Sequence, residues 1–335
     1  MDRPGAGGRT AGPALQPVRR VAQVQGSDLH FWIYGERPAD GSAADADAVA
    51  GESAAGAGAA ESTAGGDLPE QRGPEAPLLV MVHGLRGTHH GLEPIVENLP
   101  GHRAVVPDLP GFGDSGPMTE RAHDVPGYAA LIVELIELLG GRERPVVLLG
   151  HSFGSIVAAH VVSSRPDLVR RLVLVNPIST PALRGPRVLL SRLTSLYYTV
   201  GTALPPKLGR SLLANKWVVL GASRAMLRTS DPQLRRFVHD SHLRHFSRFH
   251  SPQLLSETYA ASVGGTVADY AAELRVPTLV VAGASDEIAP LEGQRALVEQ
   301  LPDAELVVIP EVGHLVHYET PAAAAEAIER FLERP

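Results

Sequence analysis

The feature that most constrains this chain is the pentapeptide Gly-His-Ser-Phe-Gly at residues 150–154. Apolar residues fill positions 145–149 before it, and small or apolar residues dominate positions 155–162 after it. This order predicts a strand, a sharp turn and a helix, with Ser152 at the apex of the turn. Such a turn strains its central residue and crowds the strand against the helix, so both flanking positions must lack side chains. The pattern predicts a serine presented for nucleophilic attack.

Composition excludes several classes of protein. With 335 residues and 44% hydrophobic content, the chain can bury the core of one large α/β domain with an insertion, or of two domains. It has no cysteine, which excludes disulfides, thiolate catalysis and cysteine-based metal sites. Residues 1–17 read as a flexible N-terminus without a secretion signal, and no apolar run reaches the roughly 18 residues of a membrane span. We therefore expect a cytoplasmic protein without a transmembrane segment.

Apolar runs alternate with helical patterns along most of the chain. The predicted elements are a hairpin of strands at 18–24 and 29–34, further strands at 77–82, 104–108, 145–149, 171–177, 278–283 and 304–309, and helices at 128–139, 291–300 and 321–332. Repeated β-α-β units predict a mostly parallel sheet with helices on both faces. Reactive groups are then expected at the carboxyl ends of the strands.

Two segments depart from this alternation. Residues 38–76 carry eight acids against one arginine, and 20 of these 39 residues are alanine or glycine, which predicts a disordered insertion. Residues 178–268 carry 12 lysines or arginines against three acids, a local charge of +9. Apolar spacing within that segment predicts helices near 189–200 and 231–250.

Five motifs occur in an order that resembles the α/β-hydrolase family. They are His83-Gly84 after an early strand, Asp-Leu-Pro-Gly-Phe-Gly-Asp-Ser at 108–115 after the next, the 150–154 turn, Gly-Ala-Ser-Asp at 283–286 after a late strand, and Gly313-His314 after the last. The resemblance covers about residues 18–36 and 77–335. It implies an α/β-hydrolase core in two parts, residues 18–177 and 269–335, with residues 178–268 inserted as a helical cap.

The resemblance also implies a catalytic triad, because the family order of nucleophile, acid and histidine matches Ser152, Asp286 and His314. A serine hydroxyl is a weak nucleophile until an imidazole takes its proton, so His314 would serve as general base and then as acid toward the leaving group. Asp286 would fix the histidine tautomer and stabilise the imidazolium.

Carbonyl chemistry further requires donors for the developing oxyanion, and the resemblance assigns this role to the backbone N–H groups of Leu85 and Phe153. Neighbouring motif positions, His83, Gly84 and His151, are candidates for lining the substrate pocket. For the two histidines, packing or loop roles are the competing interpretation.

Two alternative assignments stay open at this stage. His317 could replace His314 as the base, although it lacks a preceding glycine. Glu287 adjoins Asp286 and could replace it as the acid.

Other polar residues are assigned structural roles. Asp108 and Asp114 are expected to order their loop through side-chain to backbone bonds. The histidines at 239, 242 and 245 do not predict a zinc site, because successive steps of three residues drift around a helix and no carboxylate or cysteine accompanies them. The sequence thus predicts no metal and no cofactor.

The function implied by the resemblance is that of a serine hydrolase cleaving a carboxylic ester or related acyl bond of a small molecule. A serine at the apex, rather than an aspartate, argues against haloalkane dehalogenases and epoxide hydrolases. The alternatives are a carbon–carbon bond hydrolase, a haloperoxidase-like member, or a catalytically silent ligand-binding member. Nucleic acid is not an expected partner, and the oligomeric state is open.

The basic insertion has four explanations. It could steer anionic substrates toward an otherwise apolar pocket. Its arginine stems could instead cover apolar helix faces. Its arginines could form salt bridges to acids of the core, or the insertion could associate with an anionic membrane surface.

Overall fold

A computed structural model describes residues 17–35, 77–181 and 188–334. Within these ranges one sheet contains the strands β1 (Val18–Val24), β2 (Ser27–Tyr34), β3 (Leu79–Val82), β4 (Ala104–Pro107), β5 (Val146–His151), β6 (Val169–Val175), β7 (Thr278–Gly283) and β8 (Ala304–Ile309). Their order is β1-β2-β4-β3-β5-β6-β7-β8. The β1–β2 and β2–β4 pairs are antiparallel and the others are parallel. The predicted mostly parallel α/β sheet is confirmed.

Helices of the described ranges follow in chain order. They are α1 (His89–Glu97), α2 (Val125–Leu138), α3 (Phe153–Ser164), α4 (Val188–Ala203), α5 (Pro206–Leu213), α6 (Lys216–Met226), α7 (Pro232–His245), α8 (Pro252–Gly264), α9 (Leu291–Val298), α10 (Val316–Glu319) and α11 (Pro321–Leu332). None of these helices is long and apolar enough to cross a membrane.

Both faces of the sheet are covered, which explains the continuous apolar runs of its central strands. Along β5, Val146 and Leu148 belong to the apolar layer that includes α2 and α3. Val147 and Leu149 belong to the opposite layer, which includes α1 and α11. Successive side chains of a strand point to opposite faces, so each apolar residue of β5 finds a partner layer.

Helix α2 begins three residues before its predicted start at residue 128. Asp124 caps the helix by accepting a hydrogen bond from the Gly127 N–H over 2.8 Å, and Pro126 occupies the first turn, where proline is tolerated. Helix α1 was missed altogether, since Gly91 and Pro94 interrupt its pattern.

Among the described residues between β6 and β7, which form the insertion, are five helices, α4 to α8. Two of them, α4 and α7, correspond to the predicted helices near 189–200 and 231–250. The second ends at His245 rather than at residue 250, because Phe249 leaves the helix and forms a β-bridge with Phe112 of the core. Helices α5, α6 and α8 were missed. The cap boundaries at 178 and 268 remain a prediction, and the predictions for residues 1–16 and 38–76 fall outside the described residues.

Candidate active site

The 150–154 pentapeptide forms the sharp turn that the sequence predicts. Strand β5 ends at His151, helix α3 begins at Phe153, and Ser152 between them has a φ of 54°. A Cβ atom on Gly150 would lie 2.4 Å from the Gly154 carbonyl oxygen, and one on Gly154 would lie 2.3 Å from the Val82 oxygen. Such distances exclude any side chain, so the two glycines allow the strand, the turn and the helix to approach one another.

Three polar side chains meet at the carboxyl edge of the sheet. The Ser152 Oγ lies 2.8 Å from the His314 Nε2, and the His314 Nδ1 lies 2.7 Å from an Asp286 oxygen. The histidine and aspartate side chains are only 5% and 1% exposed. With an ionised carboxylate as acceptor, the Nδ1–H donates to Asp286, which leaves the Nε2 lone pair to accept the serine proton.

Asp286 is kept ionised by a set of donors. Its Oδ1 accepts hydrogen bonds from the Ile288 and Ala289 N–H groups over 2.7 and 3.0 Å. Its Oδ2 accepts one from the Asn176 side chain over 2.7 Å. Burial by itself raises the pKa of Asp286, but the neighbouring His314 and the hydrogen bonds outweigh it and hold that pKa below its ordinary value.

Asn176 is a site residue that the sequence reasoning missed. It follows β6 directly, has a φ of 44°, and donates from the same side-chain nitrogen to the Gly313 carbonyl over 2.8 Å. It therefore joins the loop after β7 to the loop after β8. One sequence feature could have indicated it. Asn176 stands at the carboxyl end of a predicted strand, and the predicted strands before and after that one both end in a motif.

The loop after β3 lies against the serine. A Cβ atom on Gly84 would be 3.0 Å from the Ser152 Cβ, so glycine permits this approach. The Gly87 N–H donates to the Gly84 carbonyl over 3.0 Å and closes the loop as a tight turn. Among the turn and loop backbone hydrogen bonds of the described residues, none has the N–H of Leu85 or Phe153 as its donor.

His83 is buried behind this loop. Its Nε2 accepts the Leu109 N–H over 2.9 Å, so its Nδ1 carries the proton and donates to the Gly84 carbonyl over 2.8 Å. Burial lowers the pKa of His83, which keeps the ring neutral. The ring thus fixes the position of Gly84 relative to the loop after β4.

His151 supports the loop of the other histidine. Its Nε2–H donates to the His314 carbonyl over 3.2 Å. Burial, followed by the charge of His314, lowers the pKa of His151 to about 3. Its ring lies 4.0 Å from that of His317. Both His83 and His151 therefore bond to the main chain, and neither bonds to Ser152.

The open alternatives for base and acid are not brought to the serine. His317 is buried against His151 and Tyr318, and no hydrogen bond joins it to Ser152. Glu287 has a side chain that is 68% exposed and pairs with Arg228 of the insertion over 2.8 Å.

The two aspartates of the 108–115 loop behave differently. Asp108 orders the loop as expected, because its oxygens accept the N–H groups of His89 and Asp114 over 2.7 and 2.9 Å. For Asp114 the expectation was wrong, since its carboxylate forms an ion pair with Arg248 of the insertion. Arg248 and Arg228 of the insertion thus form salt bridges to core acids, as one of the four explanations for the basic insertion expects.

The insertion packs beside the His314 loop. A Cβ atom on Gly313 would lie 2.8 Å from the Met226 carbonyl oxygen at the end of α6. Nearby, Leu227 and Val238 of the insertion form an apolar cluster with Leu315 and Tyr318 of the core, all buried.

The sheet, the serine at its strand–helix turn and the polar groups after the last two strands define an α/β hydrolase. The chain belongs to the alpha/beta hydrolase fold family, whose model matches residues 77–321.

Individual relatives agree with this assignment. The chain is 30% identical to "Putative carbamate hydrolase RutD" of Caulobacter sp. (strain K31) over 230 residues, which are 69% of this chain and 80% of that protein. A solved alpha/beta hydrolase enzyme from a Medee basin deep-sea metagenome library gives a TM-score of 0.67 at 18% identity, covering 94% of this chain and 98% of that one. The bromoperoxidase of Bacillus anthracis gives 0.66 at 17% identity, covering 95% and 100%. At such identities the two solved structures support the fold alone.

Proposed function

We propose that this protein is a serine hydrolase that cleaves a carboxylic ester or related acyl bond through an acyl-enzyme intermediate. The observation that carries the proposal is the relay from Ser152 through His314 to Asp286, with separations of 2.8 and 2.7 Å. A serine, a base in contact with it and a carboxylate that orients the base are the groups that this acyl transfer uses.

In the proposed first step, the Ser152 Oγ attacks the substrate carbonyl carbon while the His314 Nε2 takes the hydroxyl proton. The carbonyl electrons move to oxygen, and the N–H groups of Leu85 and Phe153 stabilise that oxyanion. When the intermediate collapses, the bond to the leaving group breaks and His314 returns the proton to it. Water then attacks the acyl-enzyme with the same base, which releases the acid and restores Ser152.

Several neighbours hold these groups in place. Asn176 is a positioning residue, because it ties the Asp286 carboxylate to the loop of His314. His83 and His151, candidates for lining the pocket, are assigned positioning roles through their bonds to Gly84 and His314. Gly84 itself is the candidate that contacts the serine, and a bulkier residue there would collide with it.

The insertion at 178–268 is proposed to act as a cap over Ser152. Support comes from the contact of the Met226 carbonyl with Gly313, immediately before His314, and from the shared apolar cluster around Leu227 and Leu315. Substrate choice would then depend on side chains of the insertion. Because one relative is named a carbamate hydrolase, carbamates belong among the acyl compounds to be tested.

The test is covalent labelling by a fluorophosphonate probe, followed by turnover of a panel of esters, thioesters, lactones and carbamates. We expect Ser152→Ala to abolish labelling, and Ser152→Ala and His314→Ala each to lower kcat by several orders of magnitude, on the order of 10⁴-fold or more. Ser164→Ala, at the end of the same helix, is the matched control and should label as the wild type does.

Three outcomes would contradict the proposal. Labelling that survives Ser152→Ala would show that Ser152 is not the nucleophile. Labelling without turnover of any acyl compound would favour a carbon–carbon bond hydrolase or a haloperoxidase-like activity. Absence of both would favour the catalytically silent, ligand-binding alternative.

A further inference from the structure

Three metal-ligating side chains meet at the start of helix α1, outside the relay of Ser152. His89, His90 and Glu93 each offer a ligand atom, and these atoms lie within 4.8 Å of one another. It is the one such group of three among the residues that the structure describes. Ligand atoms around a tetrahedral Zn²⁺ stand about 3.4 Å apart, since each bond is about 2.1 Å long. Small side-chain rotations would therefore close this group around an ion.

His89 is already oriented as a metal ligand would be. Its Nδ1–H donates to the Asp108 carboxylate over 2.8 Å, and both side chains are at most 3% exposed. The ring stacks on Trp32 with 3.3 Å between centroids. Because Nδ1 carries the proton, Nε2 keeps its lone pair. A carboxylate that holds the far side of a ligating histidine in this way is a common feature of metal sites.

Glu93 is held in place from the other side. Its Oε1 accepts the Tyr34 hydroxyl over 3.0 Å, and its Oε2 faces the His90 Nδ1 at 3.2 Å. The side chains of His90 and Glu93 are 34% and 20% exposed. An ion can therefore reach these two residues from solvent, while His89 forms the buried wall.

A fourth imidazole lies near the group, in the insertion, although its ligand atoms are outside the 4.8 Å limit and the ring would have to move to join it. The His245 ring, at the end of α7, lies 4.2 Å from the His90 ring. Its Nδ1 is buried and has no hydrogen-bond partner. A buried polar atom without a partner costs free energy, and a metal ion is a partner that this position could take.

The charges at the group also suit a cation. The N-terminus of a helix repels positive charge, which counts against an ion at the start of α1. Asp108 offsets this repulsion, because its carboxylate accepts the His89 N–H over 2.7 Å as well as the ring proton. Two carboxylates thus accompany the ion, Glu93 as a ligand and Asp108 behind the His89 ring.

We propose that His89, His90, Glu93 and His245 bind a divalent transition-metal ion of the zinc type. Three imidazoles and one carboxylate form a donor set suited to tetrahedral Zn²⁺. The bound ion joins α1 of the core to α7 of the insertion. The competing interpretation is a closed hydrogen-bond network that needs no ion, and metal titration separates the two.

The experiment uses the full chain after treatment with a chelator. Zn²⁺ is titrated by calorimetry, Co²⁺ by its visible absorption, and melting is followed with and without Zn²⁺. We expect one equivalent of Zn²⁺ with a Kd on the order of 1 μM or tighter, and a Tm that rises with Zn²⁺ concentration. His90→Ala and Glu93→Gln should each weaken binding by about 10-fold or more.

His245→Ala tests the link to the insertion. It should weaken Zn²⁺ binding and replace the intense tetrahedral Co²⁺ spectrum by a weaker one. His239→Ala, on the same helix but outside the group, is the matched control and should bind as the wild type does.

The proposal is overturned if no equivalent of Zn²⁺ binds, or if His90→Ala and Glu93→Gln bind it as the wild type does. If Zn²⁺ binding is lost only in His239→Ala, the ion is bound by residues of α7, and the proposal is refuted as well. None of these readouts depends on catalysis by Ser152, so failure here leaves the proposed hydrolase activity untouched.

Discussion

The strand ends around Ser152 and the exposed surface of the helical insertion are packed in different ways. Around the serine, main chain packs on main chain, and a Cβ atom on Gly150 or Gly154 would lie within 2.4 Å of a carbonyl oxygen. In the insertion, nothing lies within 4 Å of the place where a Cβ atom on Gly221 would be. Large apolar side chains there are more than half exposed, namely Leu193, Leu196, Leu208 and Trp217. Close packing thus fixes the site, whereas the surface of the insertion is free to vary.

The attachment of the insertion also differs from the packing of the core. Arg86, next to the proposed oxyanion loop, donates to the Phe246 and Leu213 carbonyls of the insertion over 2.9 and 2.8 Å. Together with the two ion pairs described above, these directional bonds add to apolar contacts, since Leu213, Leu254 and Leu255 of the insertion pack into the main apolar layer of the core. Arg86 is therefore a polar attachment of the insertion that can be removed without disturbing the apolar layers of the sheet.

The largest expected effect comes from adding one methyl group in each region. Gly154→Ala places a Cβ atom 2.3 Å from the Val82 oxygen, so the strand and helix must separate. We expect a loss of at least about 3 kcal/mol in the free energy of unfolding, measured by urea denaturation. Gly221→Ala, inside α6, should instead gain about 0.5–1 kcal/mol from helix propensity. Similar effects at both positions would abolish the distinction between the regions.

The next effect separates the insertion from the sheet. Arg86→Met leaves two carbonyls of the insertion without their charged donor, which should cost about 2–3 kcal/mol. We expect hydrogen exchange to accelerate in α5 and α7 while β5 and β7 stay protected. Arg192→Met, at an exposed position on α4, is the control and should change neither the free energy of unfolding nor the hydrogen exchange. Uniform acceleration across the sheet would show that the insertion and the core unfold as one unit.

The smallest effect concerns pH and the buried histidines of the core. Burial lowers the pKa of His317 well below its ordinary value of 6.5, so below that pH the unfolded chain binds a proton that the folded chain does not. Stability is therefore full above pH 6.5 and falls on acidification. Between pH 7 and pH 5, His317→Leu should remove about 2 kcal/mol of that loss, measured by urea denaturation at each pH. His250→Leu, at an exposed position on the insertion, should leave the loss of stability between pH 7 and pH 5 unchanged. Equal pH slopes in the wild type and both variants would contradict the prediction.

Different parts of the molecule were predictable from sequence to different degrees. The ends of β1, β7, β8 and α11 lie where the sequence places them, since their apolar periodicity and flanking residues act locally. Helices α5 and α6 were missed because they bury few residues, namely Gly209 and Leu213 in α5 and Val219 and Ser223 in α6. With 8 and 11 residues, they also span only two or three turns each, so an apolar pattern repeats too few times to be recognised.

The sequence by itself determined the turn around Ser152 and the order of the polar motifs, because glycine sterics and strand periodicity are local requirements. Only the tertiary structure decided which groups meet. Ser152 and His314 are 162 residues apart, and they meet because β5 and β8 belong to one sheet, separated by β6 and β7, so that the loops at its carboxyl edge can reach one another. The contact of His314 with Asp286, and not with Glu287, depends on backbone N–H groups and on Asn176, whose positions no local pattern encodes. Likewise, His245 reaches His90 only because the insertion folds back onto α1.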